Sequence, residues 1–216
     1  PFPLWERAFC IGDNLDRATI INSMLSVIGE SGVNSVITEH PSVQTASRIL
    51  DTEDIDFQQA GWWFNREYRL VLVPNGEGRV AVPASALDMQ ITDVGFNSPT
   101  EKLRYSRRGD FIYDAYKHSN VIERSVTVDL VTRLDISDLP SVASSYLLHK
   151  AREAMHIDDD GDAQKMGELK QQSALAWAKL KAKELQVIAT NALDNPNARR
   201  LQAGLTGTNG SRNPNL

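Results

Sequence analysis

Cysteine is almost absent. Cys10 is the only one in 216 residues, so no disulfide can close within the chain, and a metal site would have to rest on histidines and carboxylates. A reducing compartment suits such a chain. Long apolar runs are missing too. No stretch approaches the roughly 20 residues that span a bilayer, and Pro1-Phe2-Pro3 lacks the charged start and apolar core of a signal peptide. The expectation is a soluble protein made in a cytoplasm. Basic charge is in short supply: 23 Lys and Arg face 28 Asp and Glu, a formal charge of -5. That balance argues against a surface built to grip phosphate backbones. No Gly-x-Ser-x-Gly elbow, P-loop, dinucleotide fingerprint or HExxH helix occurs.

What is present is strongly patterned. With 41% hydrophobic residues the chain can form one sizeable core, or two small ones sharing an interface. Leu15, Ala18, Asn22, Leu25 and Ile28 recur at helical spacing, with Asp13 and Asn14 as candidate caps and Gly29 to Gly32 as the stop. The predicted buried stripe is Leu15, Ala18, Ile21, Leu25 and Ile28. After an extended link over 33–38, Pro41 opens a second helix carrying Val43, Ala46, Ile49, Leu50 and Phe57, and Gly61 ends it.

From Trp63 the period becomes strand-like. Candidate strands cover 68–73, 79–82, 89–94, 103–107, 111–115 and 125–134, punctuated by turns such as Pro74-Asn75-Gly76, Asn97-Ser98-Pro99 and Gly109-Asp110. This middle reads as a small sandwich or curled sheet. Leu139-Pro140 restarts helix, with Val142, Tyr146, Leu147, Ala151 and Met155 on one side. A longer helix follows with Met166, Leu169, Ala176, Trp177, Leu180, Leu185 and Ile188 in period, as far as about Leu193. Two helices before the β block and two after it, each with one apolar stripe, can close into a four-helix bundle. Residues 195–216, rich in Asn, Gly and Pro, read as an extended tail. No internal repeat is visible.

The order of these blocks carries a resemblance. An apolar helix over 15–30, a turn, a helix reading Ala46-Ser47-Arg48-Ile49-Leu50, the exit Gly61-Trp62-Trp63-Phe64-Asn65, a β-rich middle and a helix opening at Leu139-Pro140 together resemble the tail tubular protein A family of short-tailed bacteriophages. The resemblance spans about 15–193. It implies an α+β fold, a four-helix bundle of N- and C-terminal helices (1–62 and 137–194) carrying an inserted all-β domain (63–136) and an extended C-terminal tail (195–216).

The function it implies is that of a structural virion protein. Such a head-to-tail adaptor forms a twelve-fold ring of its own copies under the portal protein ring, extends the DNA channel and provides the platform for the tail nozzle protein. Genomic DNA would pass without sequence-specific binding, and an acidic lumen would let it slide. The protein would reside in the virion tail after assembly in the host bacterial cytoplasm. No catalytic residue, cofactor, metal or membrane contact is implied.

Several residue groups invite other readings. The acidic run from Asp158 to Asp162 suggests calcium, but Gly161 comes one position early and no Glu closes the loop; Asp162 reads better as a helix cap with its neighbours solvated. Trp62-Trp63-Phe64 offers a sugar platform, yet such aromatics at a helix-to-strand junction more often fill an interface. The 28 acidic residues supply too many carboxylate pairs to single out a glycosidase. His40 and His118 are scattered. His149 and His156 can share a helix face, but without a third ligand they read as surface residues. Cys10, with no basic partner in view, looks inert.

Lys165, Lys170, Lys179, Lys181 and Lys183, interleaved with Glu168 and Glu184, read as a solvated face rather than a DNA grip. For partner binding, the tail and the fourth helix are the expectation, with Arg199, Arg200 and Arg212 of the tail to pair with acidic residues, and Leu201, Leu205 and Leu216 to anchor. Two alternative classes remain: a tail-associated glycan-degrading enzyme, and a carbohydrate- or receptor-binding module.

Overall fold

The computed structural model describes residues 15–33, 40–92, 104–158 and 162–194. The caps expected at Asp13 and Asn14, Cys10, the turn at Asn97-Ser98-Pro99, and the tail residues Arg199, Arg200, Leu201, Leu205, Arg212 and Leu216 lie outside the described residues. The fold is mixed α/β, with four α-helices and small antiparallel sheets among the described residues.

Helix α1 (Arg17–Val27) starts where the Asp16 side chain accepts the Thr19 amide at 2.8 Å. Asp16 therefore supplies the cap. Because the helix begins at Arg17, Leu15 precedes it and Ile28 is its C-cap, so the buried face is Ile20, Ile21, Met24, Leu25 and Val27. Of the predicted stripe only Ile21 and Leu25 are buried; Ala18 sits on the flank. Helix α2 (Pro41–Gln59) has proline in its first turn and buries Val43, Ala46, Ile49, Leu50 and Phe57, as its period requires. It also buries Asp54 and Gln58.

The β segment comprises β1 (Arg66–Leu72), β2 (Ala86–Ile91), β3 (Tyr105–Arg108), β4 (Phe111–Asp114) and β5 (Val126–Thr132). Three strands form an antiparallel sheet in the order β1-β5-β2, and β3 pairs with β4 in a separate hairpin. The expected strand at 79–82 makes only isolated bridges, among them Arg79 with Val121 and Ala81 with Phe111. In β5 the burial alternates, with Val126, Val128, Leu130 and Thr132 inward. Val126, Val128 and Leu130 join Val80, Val82, Ile91, Ile112 and Ile122 in one small core.

One carboxylate organises the hairpin. Asp114 is 1% exposed, and it accepts from Arg104 Nε at 2.7 Å and from the amides of Tyr116 and Lys117 at 2.9 and 3.1 Å. The Arg104 hydrogen bond, helped by the two amides and opposed by burial, holds the carboxyl at about 2 against an ordinary 3.8. A depressed carboxylate contributes its full stability above its unfolded pKa and loses it as pH falls through the folded one. Acid titration by circular dichroism should therefore show a loss of stability between about pH 4 and pH 2. Asp114→Asn should be less stable at neutral pH and should lack that component; an unchanged acid profile would contradict the assignment.

A 3-10 turn, Ile136–Asp138, leads into α3 (Ser141–Asp158), and α4 (Ala163–Asp194) follows. Helices α1, α2 and α3 pack on one another, and α4 packs along α3. The larger core draws Ile20, Met24, Leu50, Leu139 and Leu147 together with Leu180 of α4.

The helices and the sheet are joined by a polar network. Gln58 of α2 donates to Asp54 Oδ1 at 2.7 Å and to the Leu134 carbonyl at 2.9 Å, and its own carbonyl oxygen Oε1 accepts the Leu134 amide at 2.8 Å. Arg133, just past β5, donates to Asp54 Oδ2 at 2.9 Å and to Asp51 at 3.2 Å. Arg17 of α1 grips Asp51 with two bonds of 2.8 Å. The Arg17 hydrogen bond lowers the Asp51 carboxyl against the opposing effect of burial.

Gly61 makes the turn between α2 and β1. Its φ is +70°, and an added Cβ would lie 2.8 Å from Arg66 Nε and 2.9 Å from Val131 Cγ2. Gly61→Ala is expected to cost about 2 kcal/mol, from the left-handed backbone and the crowding together. Urea denaturation would read this as a lower midpoint; an unchanged midpoint would mean the turn relaxes freely.

Candidate assembly surfaces

The sequence Phe57-Gln58-Gln59-Ala60-Gly61-Trp62 ends one helix and turns the chain back over it, so Phe57 and Trp62 meet. Their ring centroids are 5.3 Å apart, and Trp62 Nε1 donates to the Phe57 carbonyl at 2.8 Å. Phe64 stacks parallel to Trp62 at 6.5 Å, Trp177 of α4 stands edge-on to it at 5.3 Å, and Tyr146 of α3 lies 5.0 Å from Trp177. Trp62 is 2% exposed. It has no face left for a sugar, and the junction is core, as expected.

At the edge of this cluster a cavity of about 380 Å³ opens. Phe57, Trp62, Tyr146 and Trp177 form its apolar walls, with Glu53, Asp56 and Lys150 among its polar lining. Burial raises the Glu53 carboxyl; Lys150 lowers it in part, and Asp56 and Glu153 raise it further. Burial likewise raises the Tyr146 hydroxyl, reinforced by Glu53 and Glu153. Lys181 sits 4.3 Å from the Trp62 ring centroid and 5.0 Å from that of Trp177, and pairs with Glu184 at 2.9 Å.

The second surface is α4. Ser173 donates to Glu153 at 2.6 Å, Arg152 donates to Gln172 at 3.3 Å, and Trp177 meets Tyr146. Rising numbers on α4 meet falling numbers on α3, so the pair is antiparallel. Leu169, Ala176 and Leu180 are buried against this seam. The expected apolar stripe does not stay covered along the rest of the helix: Leu185 is 65% and Ile188 54% exposed. The reason is length. Helix α3 has 18 residues and α4 has 32, about 27 Å against about 48 Å, so the last turns of α4 run past the start of α3.

Other candidates resolve individually. His156 is 3% exposed, with Nε2 3.1 Å from the Asp162 carbonyl oxygen, and His149 is half-buried. The surface reading of this pair is thus corrected, because the hairpin of α3 and α4 closes over them. Burial lowers the His149 imidazole, and Arg152 and Lys179 reinforce the shift. Among the described residues no group of three His, Cys, Asp or Glu is placed to hold a metal. Residues 159–161 of the acidic run lie outside the described residues, but Asp162 does cap α4, accepting the Gln164 amide at 3.2 Å.

The lysine face is only partly solvated. Lys165 donates to the Val27 carbonyl of α1, and Lys181 covers the tryptophans, whereas Lys170, Lys179 and Lys183 are exposed. Among the described residues no helix is long and apolar enough to cross a membrane.

A family model described as Tube: Tail tubular protein matches residues 19–192. The match takes in both helical pairs and the β segment between them. No curated protein matches the chain.

Proposed function

The chain belongs to the tail tubular protein family, structural proteins of the bacteriophage tail that assemble there with other tail components, and from that premise we propose that it is the head-to-tail adaptor. Copies pack side by side in a twelve-fold ring under the portal protein, extend the DNA channel and present a platform to the nozzle protein. No reaction is involved. Each copy contributes a helical unit from 1–62 and 137–194, with α4 completing a four-helix bundle, while 63–136 forms an inserted β domain. The ring is built and docked in the host bacterial cytoplasm.

The observation that carries this reading, beyond the family, is the overhang of α4. Leu185 and Ile188 leave an apolar stripe exposed on a helix whose earlier stripe residues Leu169, Ala176 and Leu180 are buried, and a stripe of that kind suits a side-by-side contact between identical bundles. Such a contact is heterologous and closes into a ring when the rotation closes. The net charge of -5 suits a channel along which phosphate must slide. The segment 195–216 supplies further contacts through Arg199, Arg200, Leu201, Leu205 and Arg212.

Mass photometry of isolated portal rings mixed with the protein tests both points. The wild-type protein should add a ring's worth of copies to each portal. Leu185→Glu combined with Ile188→Glu should leave the melting temperature nearly unchanged, since both side chains are exposed, and should abolish most of the loading. Undiminished loading of the variant would remove α4 from the contact.

A further inference from the structure

We propose that the cavity at the aromatic junction receives an arginine side chain from a second copy of this chain, from the segment carrying Arg199 and Arg200. The proposal rests on the ring reading above and names one of its contacts. Its basis is charge and shape. Among the described residues neither Glu53 nor Asp56 makes a salt bridge, although both line a recess walled by Phe57, Trp62, Tyr146 and Trp177. Burial raises the Glu53 carboxyl, Lys150 opposes the shift, and Asp56 and Glu153 add negative charge around it. A cation entering the recess relieves that charge.

The walls favour the same guest. Tyr146 and Trp177 keep part of their rings accessible; aromatic faces attract cations, and a planar guanidinium stacks on them while forking its donors to carboxylates. Lys181, already seated over Trp62 and Trp177, shows that this cluster holds a cation. The other adjacent arginine pair in the chain is engaged elsewhere: Arg107 donates to the Gly109 and Ala86 carbonyls, and Arg108 lies 3.7 Å from the Tyr113 ring centroid.

Reach assigns the guest to a neighbour. From Trp177 to Asp194, the last residue of α4, the helix advances about 25 Å. From Asp194 to Arg199 an extended chain covers at most about 18 Å. Doubling back to its own recess would use the full length of the Arg199 side chain, and Arg200 adds only about 4 Å for the reversal. A copy alongside has no such constraint.

The test uses a fluorescein-labelled peptide of residues 195–216 and the full-length protein, read by anisotropy. The wild-type protein should bind it. Glu53→Gln with Asp56→Asn, isosteric changes that remove the charge, should weaken binding about tenfold, as should Arg199→Ala with Arg200→Ala in the peptide. Combining the two should add little, because both remove one interaction. No binding by the wild-type protein at millimolar peptide would overturn the proposal. So would equal binding of the alanine peptide, which would make the contact apolar, or fully additive losses, which would place the arginines elsewhere. The assay contains no portal, so failure here beside normal portal loading strikes this contact alone.

Discussion

Trp62→Ala is expected to be the most damaging single change in the helical region, costing about 4 kcal/mol. Trp62 is 2% exposed, packs against Phe57, Phe64 and Trp177, and spends its indole N–H on the Phe57 carbonyl. Its removal takes away the largest fully buried side chain among the described residues and leaves a cavity where α2, α4 and the chain entering β1 meet. For a protein whose total stability is on the order of 10 kcal/mol, that is a large share. Urea denaturation followed by far-ultraviolet circular dichroism would measure it. Trp62→Phe should cost roughly half as much, since most of the volume stays and the Phe57 carbonyl loses its donor. A cost under about 1 kcal/mol for the alanine variant would mean the aromatic cluster does not hold these elements together.

Asp54→Ala comes next, at about 3 kcal/mol. Asp54 is 1% exposed, and its two oxygens take Gln58 Nε2 on one side and Arg133 on the other. Without it the Gln58 amide loses one acceptor while keeping the Leu134 carbonyl, and the Arg133 guanidinium retains only the more exposed Asp51. The damage should concentrate at the join between α2 and the chain leaving β5. Hydrogen exchange should show the Leu134 amide, bound to Gln58 Oε1 at 2.8 Å, losing protection before the amides in the middle of β5. A double-mutant cycle with Arg133→Met should show coupling, because removing both charges leaves neither one stranded. Strict additivity would show that the two groups act independently.

The parts of this fold governed by period were legible in the sequence. The stripe of α2 was read residue by residue, Pro41 and Gly61 bound it as proline and glycine should, and β5 alternates as a half-buried strand must. The polar network was not read, though a signal was present. Asp54 and Gln58 fall on the face that carries Leu50 and Phe57, and a polar pair on an apolar stripe has to find partners inside. Those partners, Arg133 and Leu134, are distant in sequence, so periodicity could not supply them.

The cap of α1 is ambiguous in the sequence because Asp13, Asn14 and Asp16 all suit the role, and only the Thr19 amide singles out Asp16. The burial of His156 has a tertiary cause: an imidazole near the end of α3 is exposed until α4 folds back over it. The last turns of α4 differ from the expected bundle in cover alone. A helical period records that a stripe will be covered, and is silent about whether the cover lies in the same chain. At Leu185 and Ile188 the same chain does not provide it. The recess beside Trp62 had no linear signature, since its walls and carboxylates come from α2, α3, α4 and the turn after Gly61.

The adaptor reading is tested most directly by electron microscopy of this protein mixed with the portal ring of its own virus, compared with each component alone. The account predicts a new layer on one end of the portal, made of copies set side by side with the last turns of α4 between neighbours. Portals that remain bare at high protein concentration would contradict it.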